Sequence, residues 1–255
     1  MNELVSIITP CYNSEKFISD TIKSVQNQTY SNWEMIIVDD FSQDKTVEII
    51  HNFMEEDVRI HLIKLNKNTG TGVARNTALK NAFGRYIAFL DSDDLWHPDK
   101  LKKQLDWMQN KKVPFSFSFY DCITEKGDVL NKQIQAPLKL TYRQLFFCNF
   151  VGNLTGIYDT QYFGKIAISS VRKRQDWIVW LTILKQIKLA EPITENLARY
   201  RVRENSISAS KKSLLHYNYA VYREFHKYNK IISLFCMVGF LFAQLLIKPR
   251  FTKKL

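Results

Sequence analysis

Acidic residues collect at points where strand-like runs give out. Asp91-Ser92-Asp93-Asp94 follows the apolar stretch Tyr86–Leu90, and Asp39-Asp40 closes the run that begins at Glu34. The first such run, Leu4–Thr9, leads into Pro10-Cys11-Tyr12-Asn13. Carboxylates brought together repel and raise one another's pKa unless a cation or a strong donor is present. A hard divalent ion resolves that conflict, and Mg²⁺ takes one or two carboxylates together with substrate phosphates. An aromatic ring such as Tyr12 at a strand mouth suits stacking on a base. The same residues have plainer readings. Asp44 reads best as a helix N-cap, Asp94 as the cap of the following helix, and Asp39-Asp40 equally well as structure or as site.

The elements that must position these groups follow from hydrophobic periodicity. Leu4–Thr9, Glu34–Asp39, Ile60–Leu65, Tyr86–Leu90 and Phe115–Tyr120 read as strands. Ser14–Gln28, Asp44–Glu56, Gly72–Ala82 and His97–Asn110 read as helices, with Ser14 and Asp44 as N-caps and Pro98 in a first turn. Strand–helix alternation predicts an α/β fold with a mostly parallel, Rossmann-like central sheet covered by helices on both faces. Ligands of such sheets bind outside the carboxyl ends of the strands, so the three acidic and aromatic ends share one crevice. Between residues 121 and 170 the pattern weakens and yields no order of elements. Beyond it, Asp176–Ile187 reads as a helix, Tyr200–Ser210 as a loop and Lys211–Asn229 as a long helix.

Taken together, Pro10-x-Tyr12-Asn13, Asp39-Asp40-x-Ser42-x-Asp44-x-Thr46, Asn68-x-Gly70…Ala74-Arg75-Asn76 and Asp91-Ser92-Asp93-Asp94 resemble glycosyltransferase family 2. Gln175-Asp176-Trp177 and Tyr200-Arg201-x-Arg203-x-x-Ser206-x-Ser208 extend the resemblance to roughly residues 4–210. Within that family the chain is most similar to transferases that build teichuronic acid, O-antigen or exopolysaccharide. The resemblance implies a GT-A fold, inversion at the anomeric carbon and a nucleotide-sugar donor. It implies that Pro10 and Tyr12 hold the nucleobase, that Asp40 accepts from uracil N3–H, and that Arg75 reaches base or phosphates, with Ser92 also at the nucleotide. Asp91-Ser92-Asp93 matches the family's metal-binding motif. Asp93 is then the direct ligand of Mn²⁺ or Mg²⁺, and Asp91 acts through water, ribose or donor sugar. A metal there stabilises charge on the departing nucleotide. Asp176 matches the residue that takes the acceptor proton, although Gln175 stands where Glu is more usual, and it could cap the helix at the same time. Trp177 is a sugar wall or core. Arg203 stands where many relatives have His. Arginine suits a bidentate grip on phosphate and cannot ligate a metal, so it is assigned to the diphosphate. His97 is assigned to a helix start.

The net charge of +11 on 255 residues first suggests nucleic acid. Its distribution argues otherwise. Residues 1–198 carry 24 Lys+Arg against 23 Asp+Glu, whereas residues 199–255 carry 12 against 2. The basic tail contains the uncharged run Ile231–Ile247, about 25 Å long as a helix against a hydrocarbon core of roughly 30 Å. Lys230, Ser233, Gln244 and Lys248 fall on one line of a helical wheel and leave a wide apolar face. Basic residues flank the run on both sides, which favours a helix lying in the cytoplasmic leaflet over one that spans. A core or dimer helix is the other reading. The expected organisation is therefore a GT-A domain over 1–210, divided into a nucleotide-binding half (1–110) and an acceptor half (111–210), followed by a membrane-association segment over 211–255. Four widely spaced cysteines predict neither zinc nor a disulfide framework, and the lack of a leader before Leu4 predicts a chain that is not secreted.

These expectations combine into an inverting UDP-sugar transferase on the inner face of a bacterial membrane, acting on a glycan carried by polyprenyl diphosphate. A nucleotidyltransferase would need a Gly-rich basic loop after the first strand, which Pro10–Ser14 lacks. A non-catalytic sugar-nucleotide-binding or membrane scaffold protein is the principal alternative, and no nucleic-acid partner is expected.

Overall fold

The computed structural model describes residues 3–203 and 211–254. In chain order its elements are β1 (Val5–Cys11), α1 (Ile18–Gln26), β2 (Trp33–Asp39), α2 (Thr46–Glu56), β3 (Ile60–Lys64), α3 (Thr71–Lys80), β4 (Tyr86–Phe89), β5 (Leu95–Trp96), α4 (Lys100–Lys111) and β6 (Phe115–Ile123). They continue with β7 (Val129–Ile134), β8 (Leu140–Thr141), α5 (Tyr142–Phe147), β9 (Ile157–Asp159), α6 (Thr160–Phe163), α7 (Gln175–Ile187), β10 (Leu189–Ala190), β11 (Pro192–Arg201), α8 (Lys211–Ala220), α9 (Lys230–Phe242) and β12 (Thr252–Lys254).

Every residue of β1 and β2 is buried, the polar Ser6, Thr9, Glu34 and Asp39 included, as strands must be when a parallel sheet is covered on both faces. The main sheet runs β12-β7-β6-β9-β4-β1-β2-β3. Its β3-β2-β1-β4 portion is parallel throughout, so the exits of β1, β2 and β4 lie side by side. Antiparallel β9 joins β4 to the first two residues of β6. From Phe117 onward β11 takes that place beside β6, in parallel, and carries β5 on its other edge. The sheet is mixed but mostly parallel in strand direction, as expected. Gly156, just before β9, is required by packing, since a Cβ there would run into the Trp180 ring.

Several boundaries differ from expectation. Helix α1 begins at Ile18, because Ser14 instead closes a turn, its carbonyl accepting from the N–H groups of Phe17 and Ile18. Asp44 accepts the Thr46 N–H at 3.0 Å, but the N-cap position of α2 belongs to Lys45, so the cap reading of Asp44 is corrected to a turn one residue earlier. Pro98 lies in the turn before α4, where its carbonyl accepts the Thr29 N–H. Tyr200 and Arg201 belong to β11, not to a loop. The expected helix from 211 to 229 is broken after Phe225. Lys227 takes a left-handed φ of 60°, and the Asn229 side chain caps α9 by accepting from Ile232 N–H.

The C-terminal helix meets the body through part of the polar line of its wheel. Ser233 is fully buried, and Gln244 Nε2 contacts Cys148 Sγ at 3.3 Å. Met237, Phe240 and Ala243 pack on the same side, Phe240 against Trp177. The apolar residues Leu234, Phe235, Val238 and Leu245 are exposed. Helical geometry persists over the 22 residues from Lys230 to Phe251, which contain an 18-residue window of mean hydropathy 2.2, long and apolar enough by length and composition to cross a membrane. The chain then returns as β12, antiparallel to β7.

Candidate functional site

The site is assembled from strand exits stitched to one another. β1 ends at Cys11, and the next residue, Tyr12, is 48% exposed at the crevice. Pro10 lies past Ile8, the last β1 residue paired with β4. Asn13, with φ 46°, accepts the Gln43 N–H through its side chain, and its own N–H donates to Ser42 Oγ at 2.9 Å. The loops after β1 and β2 are therefore bonded to each other.

Asp40 is buried and reaches across to the turn before α3. It accepts from Thr69 N–H and Gly70 N–H, both at 2.7 Å, and from Thr69 Oγ1 at 3.0 Å. Gly70 adopts φ 90°, a conformation other residues rarely take, so the acceptor and the glycine together set the start of α3. That placement brings Arg75 of α3 into the crevice. Its guanidinium donates to Asp91 Oδ1 at 2.6 Å and to Gln175 Oε1 at 3.0 Å.

The turn after β4 carries the acidic run. Asp91 also accepts from Asn153 Nδ2 at 3.1 Å. Ser92 is buried and its hydroxyl pairs with that of Ser14 at 2.8 Å. Asp93 pairs with Arg203 at 2.6 Å. Burial holds the Asp93 carboxyl above the usual range, Arg203 draws it down, and Asp91 pushes it up again. Asp94 does not cap α4. It is buried and accepts the Arg201 N–H at 2.9 Å, tying this turn to β11, and burial together with Asp93 and Asp91 raises it well above the ordinary carboxyl range. Arg201 also donates to the Asp93 carbonyl at 2.8 Å.

Asp176 stands in the first turn of α7, while the N-cap position belongs to Arg174, with φ 71°. The cap reading of Asp176 is thereby corrected. Its Oδ2 accepts from Asn149 Nδ2 at 2.8 Å, and Asn149 Oδ1 accepts the Val151 N–H at 3.1 Å. A backbone N–H can only donate, so the amide's orientation is fixed with its NH₂ toward Asp176. Trp177 is core, 1% exposed, with its indole N–H on the Leu145 carbonyl. His97 lies just before α4 and its ring is held below the usual pKa by burial.

Asp93, Asp91, Arg75, Gln175 and Asp176 thus form one connected wall, with Arg203 at one end and Asn149 at the other. Asn149 and Asn153 carried no signal in the sequence, and Arg201 was part of a quoted motif without a role. Ser206 and Ser208 lie outside the described residues. Among the described residues no three His, Cys, Asp or Glu side chains gather as a metal cage. Two carboxylates still fit a hard divalent ion whose remaining ligands come from substrate phosphate and water. A cleft of about 190 Å³ opens beside Arg203 and Asn13, whereas a larger one of about 310 Å³ surrounds Trp107 and Pro114, at the opposite end of β6.

Residues 6–162 match the family described as Glycosyl transferase family 2. The chain is 43% identical over 237 residues to the putative teichuronic acid biosynthesis glycosyltransferase TuaG of Bacillus subtilis, covering 93% of this chain and 94% of that protein. It is 39% identical over 209 residues to UDP-Glc:alpha-D-GlcNAc-diphosphoundecaprenol beta-1,3-glucosyltransferase WfgD of Escherichia coli, covering 82% and 81%. In fold it is similar to S. aureus TarS 1-349 in complex with UDP-GlcNAc, with TM-score 0.70 at 19% identity over 95% of this chain and 73% of that one.

Proposed function

Because the chain belongs to glycosyl transferase family 2 and is a glycosyltransferase of GT-A-like fold, we propose that it transfers a sugar, with inversion, from a UDP-sugar to a glycan carried on polyprenyl diphosphate. The setting is bacterial surface polysaccharide synthesis. The observation that carries this reading is the connected wall from Asp93 to Asp176. Donor and acceptor chemistry need their carboxylates a fixed distance apart, and Arg75 bonds to Asp91 on one side and to the neighbour of Asp176 on the other.

In this mechanism Tyr12 and Pro10 flank the uracil. Asp40 orders the Thr69–Gly70 turn and retains lone pairs for the base N3–H. Asp93, assisted by Asp91, would hold Mn²⁺ or Mg²⁺, which supplies charge stabilisation at the two phosphates. Arg203 and Arg75 direct guanidinium donors to the diphosphate, with Ser92 beside them. Asn149 occupies Oδ2 of Asp176 and leaves Oδ1 for the acceptor hydroxyl. As that oxygen attacks the anomeric carbon from the face opposite UDP, its proton passes to Asp176. The new glycosidic bond forms, the bond to the UDP oxygen breaks, and UDP leaves as an anion. Asp176 then returns its proton to solvent.

The exposed apolar face of the Lys230–Phe251 helix supports a peripheral position on the cytoplasmic face of the membrane. Its inner face is packed on the protein and its end continues into β12, so crossing the bilayer would require tearing it from the body. Calorimetric titration of UDP with and without Mn²⁺ tests the donor reading. Binding that depends on metal and disappears in Asp93→Ala supports it. The non-catalytic nucleotide-binding alternative is favoured by one observation, that Asp91 and Asp93 already have arginine partners at 2.6 Å. It would show as UDP binding indifferent to metal and an absence of transfer.

A further inference from the structure

Basic side chains gather beside Asp176, and the transfer chemistry leaves two of them, Lys248 and Arg174, unused. The last turns of the C-terminal helix cross the loop after α5. Gln244 touches Cys148, Phe251 packs edge-on against Phe150 with ring centroids 5.2 Å apart, and Lys248 lies in the chain between those contacts. Between Cys148 and Phe150 is Asn149, the residue bonded to Asp176. Lys248 is thereby brought near enough to Arg174 and Asp176 for their charges to act on it. Arg174, two residues before Asp176, is anchored through Nε to Asn218 Oδ1 of α8 at 2.6 Å.

Among the described residues no carboxylate is within ion-pair distance of either cation. Both are half-buried. Burial lowers the Lys248 amine, and the Arg174 charge lowers it further, while Asp176 opposes this only in part. Two like charges partly withdrawn from water are a costly arrangement unless an anion completes it. The amino end of α7 opens at the same place and adds its unbonded N–H groups to the positive field.

The surroundings define the anion. Along the C-terminal helix the exposed residues Leu234, Phe235, Val238 and Leu245 form a continuous apolar face that ends at Lys248. Apolar strip, paired cations and candidate base follow one another in the order lipid, diphosphate, sugar hydroxyl. We propose that Lys248 and Arg174 form the subsite that grips the diphosphate of a polyprenyl-diphosphate-linked acceptor. This rests on the acceptor reading given above, and it assigns to residue 248 the task of setting how far the acceptor sugar reaches toward Asp176.

The test uses the full chain in detergent, with farnesyl diphosphate as probe and farnesol as comparator, followed by tryptophan fluorescence without added metal. Wild type binds farnesyl diphosphate well above farnesol. Lys248→Met, which keeps the apolar stem, weakens that binding about tenfold, as loss of a charge-assisted contact should. Lys253→Met, at an exposed lysine of β12, does not. Arg174→Gln repeats the loss; should it lower Tm, Lys248→Met alone decides. Saturating UDP leaves the probe bound, and on phosphatidylglycerol vesicles Lys248→Met and Lys253→Met behave alike. The proposal is overturned if wild type does not bind the probe, if Lys248→Met binds it normally, if UDP displaces it, or if Lys248→Met alone is lost from vesicles, which would identify a lipid headgroup as the ligand. Failure of the donor reading is separate: it appears as absent UDP binding in Mn²⁺ with the farnesyl results unchanged.

Discussion

Replacing Phe235 and Leu245 by serine tests whether the outward face of the C-terminal helix is a membrane surface. Phe235 is 74% exposed and Leu245 is 71% exposed, so neither supports the fold. Full burial of such side chains is worth about 1.5–3 kcal/mol each. Scaled by exposure, each contributes about 1–2 kcal/mol to entering an apolar layer. The double variant should therefore lose about 2–4 kcal/mol, roughly 30- to 1,000-fold in partition onto vesicles. Co-sedimentation with phosphatidylglycerol–phosphatidylcholine vesicles measures it, with Tm and UDP affinity as controls for folding. Because neither residue touches the crevice, both controls should match wild type. Unchanged sedimentation would refute the membrane reading. So would a wild-type dimer that the two substitutions convert to monomer, since that would make the face a protein interface.

Three other outcomes follow from individual contacts. Arg75→Lys cannot hold Asp91 and Gln175 together, because an ammonium is a point charge without the guanidinium fork, and kcat/KM should fall about 100-fold with little loss of Tm; steady-state kinetics that match wild type would sink this role. Asn149→Asp keeps an oxygen for the Val151 N–H but turns a second one toward Asp176, so kcat should fall about tenfold or more while UDP affinity holds; a parallel loss of UDP binding would show a collapsed site instead. His226 is lowered by burial from 6.5 to about 4 and stacks with Tyr222 and Tyr228. Its neutral form is the one the fold accepts, so the stability it contributes is complete above pH 6.5 and is lost as pH falls toward 4. The loss is at most about 3 kcal/mol, and less for a ring with partial solvent access. Thermal melts should show a smaller Tm drop between pH 7 and pH 4.5 for His226→Phe than for wild type.

The first 110 residues were legible because their signals are local. β1, β2 and β4 are mostly apolar runs of four to seven residues, each leading to a chemically distinctive group such as Asp39 or the run beginning at Asp91. The parallel arrangement followed from alternation alone. Residues 121–170 were opaque for a physical reason. β7 is largely exposed, β8 has two residues and β9 three, too short for any periodicity. Asn149 and Asn153 sit in that region, and their contacts to Asp176 and Asp91 span 27 and 62 residues of sequence. The C-terminal helix shows a different limit. Its wheel separated polar from apolar residues correctly, but which side meets the body depended on a partner surface: Phe147 lies against Gly239, and Trp177 against Phe240. The wide apolar face left by the polar line is the exposed one. Asp40 is a further case, since the carboxylate assigned to the base also builds the turn that starts α3.

The most direct measurement is the product anomer formed by wild type and by Asp176→Asn, by NMR, from an α-linked UDP-sugar and an acceptor carried on a short polyprenyl diphosphate. Wild type should yield the β-linked product in the presence of Mn²⁺, and Asp176→Asn should yield none while binding UDP normally. An α-linked product, or transfer by Asp176→Asn at the wild-type rate, would contradict inversion with Asp176 as the base.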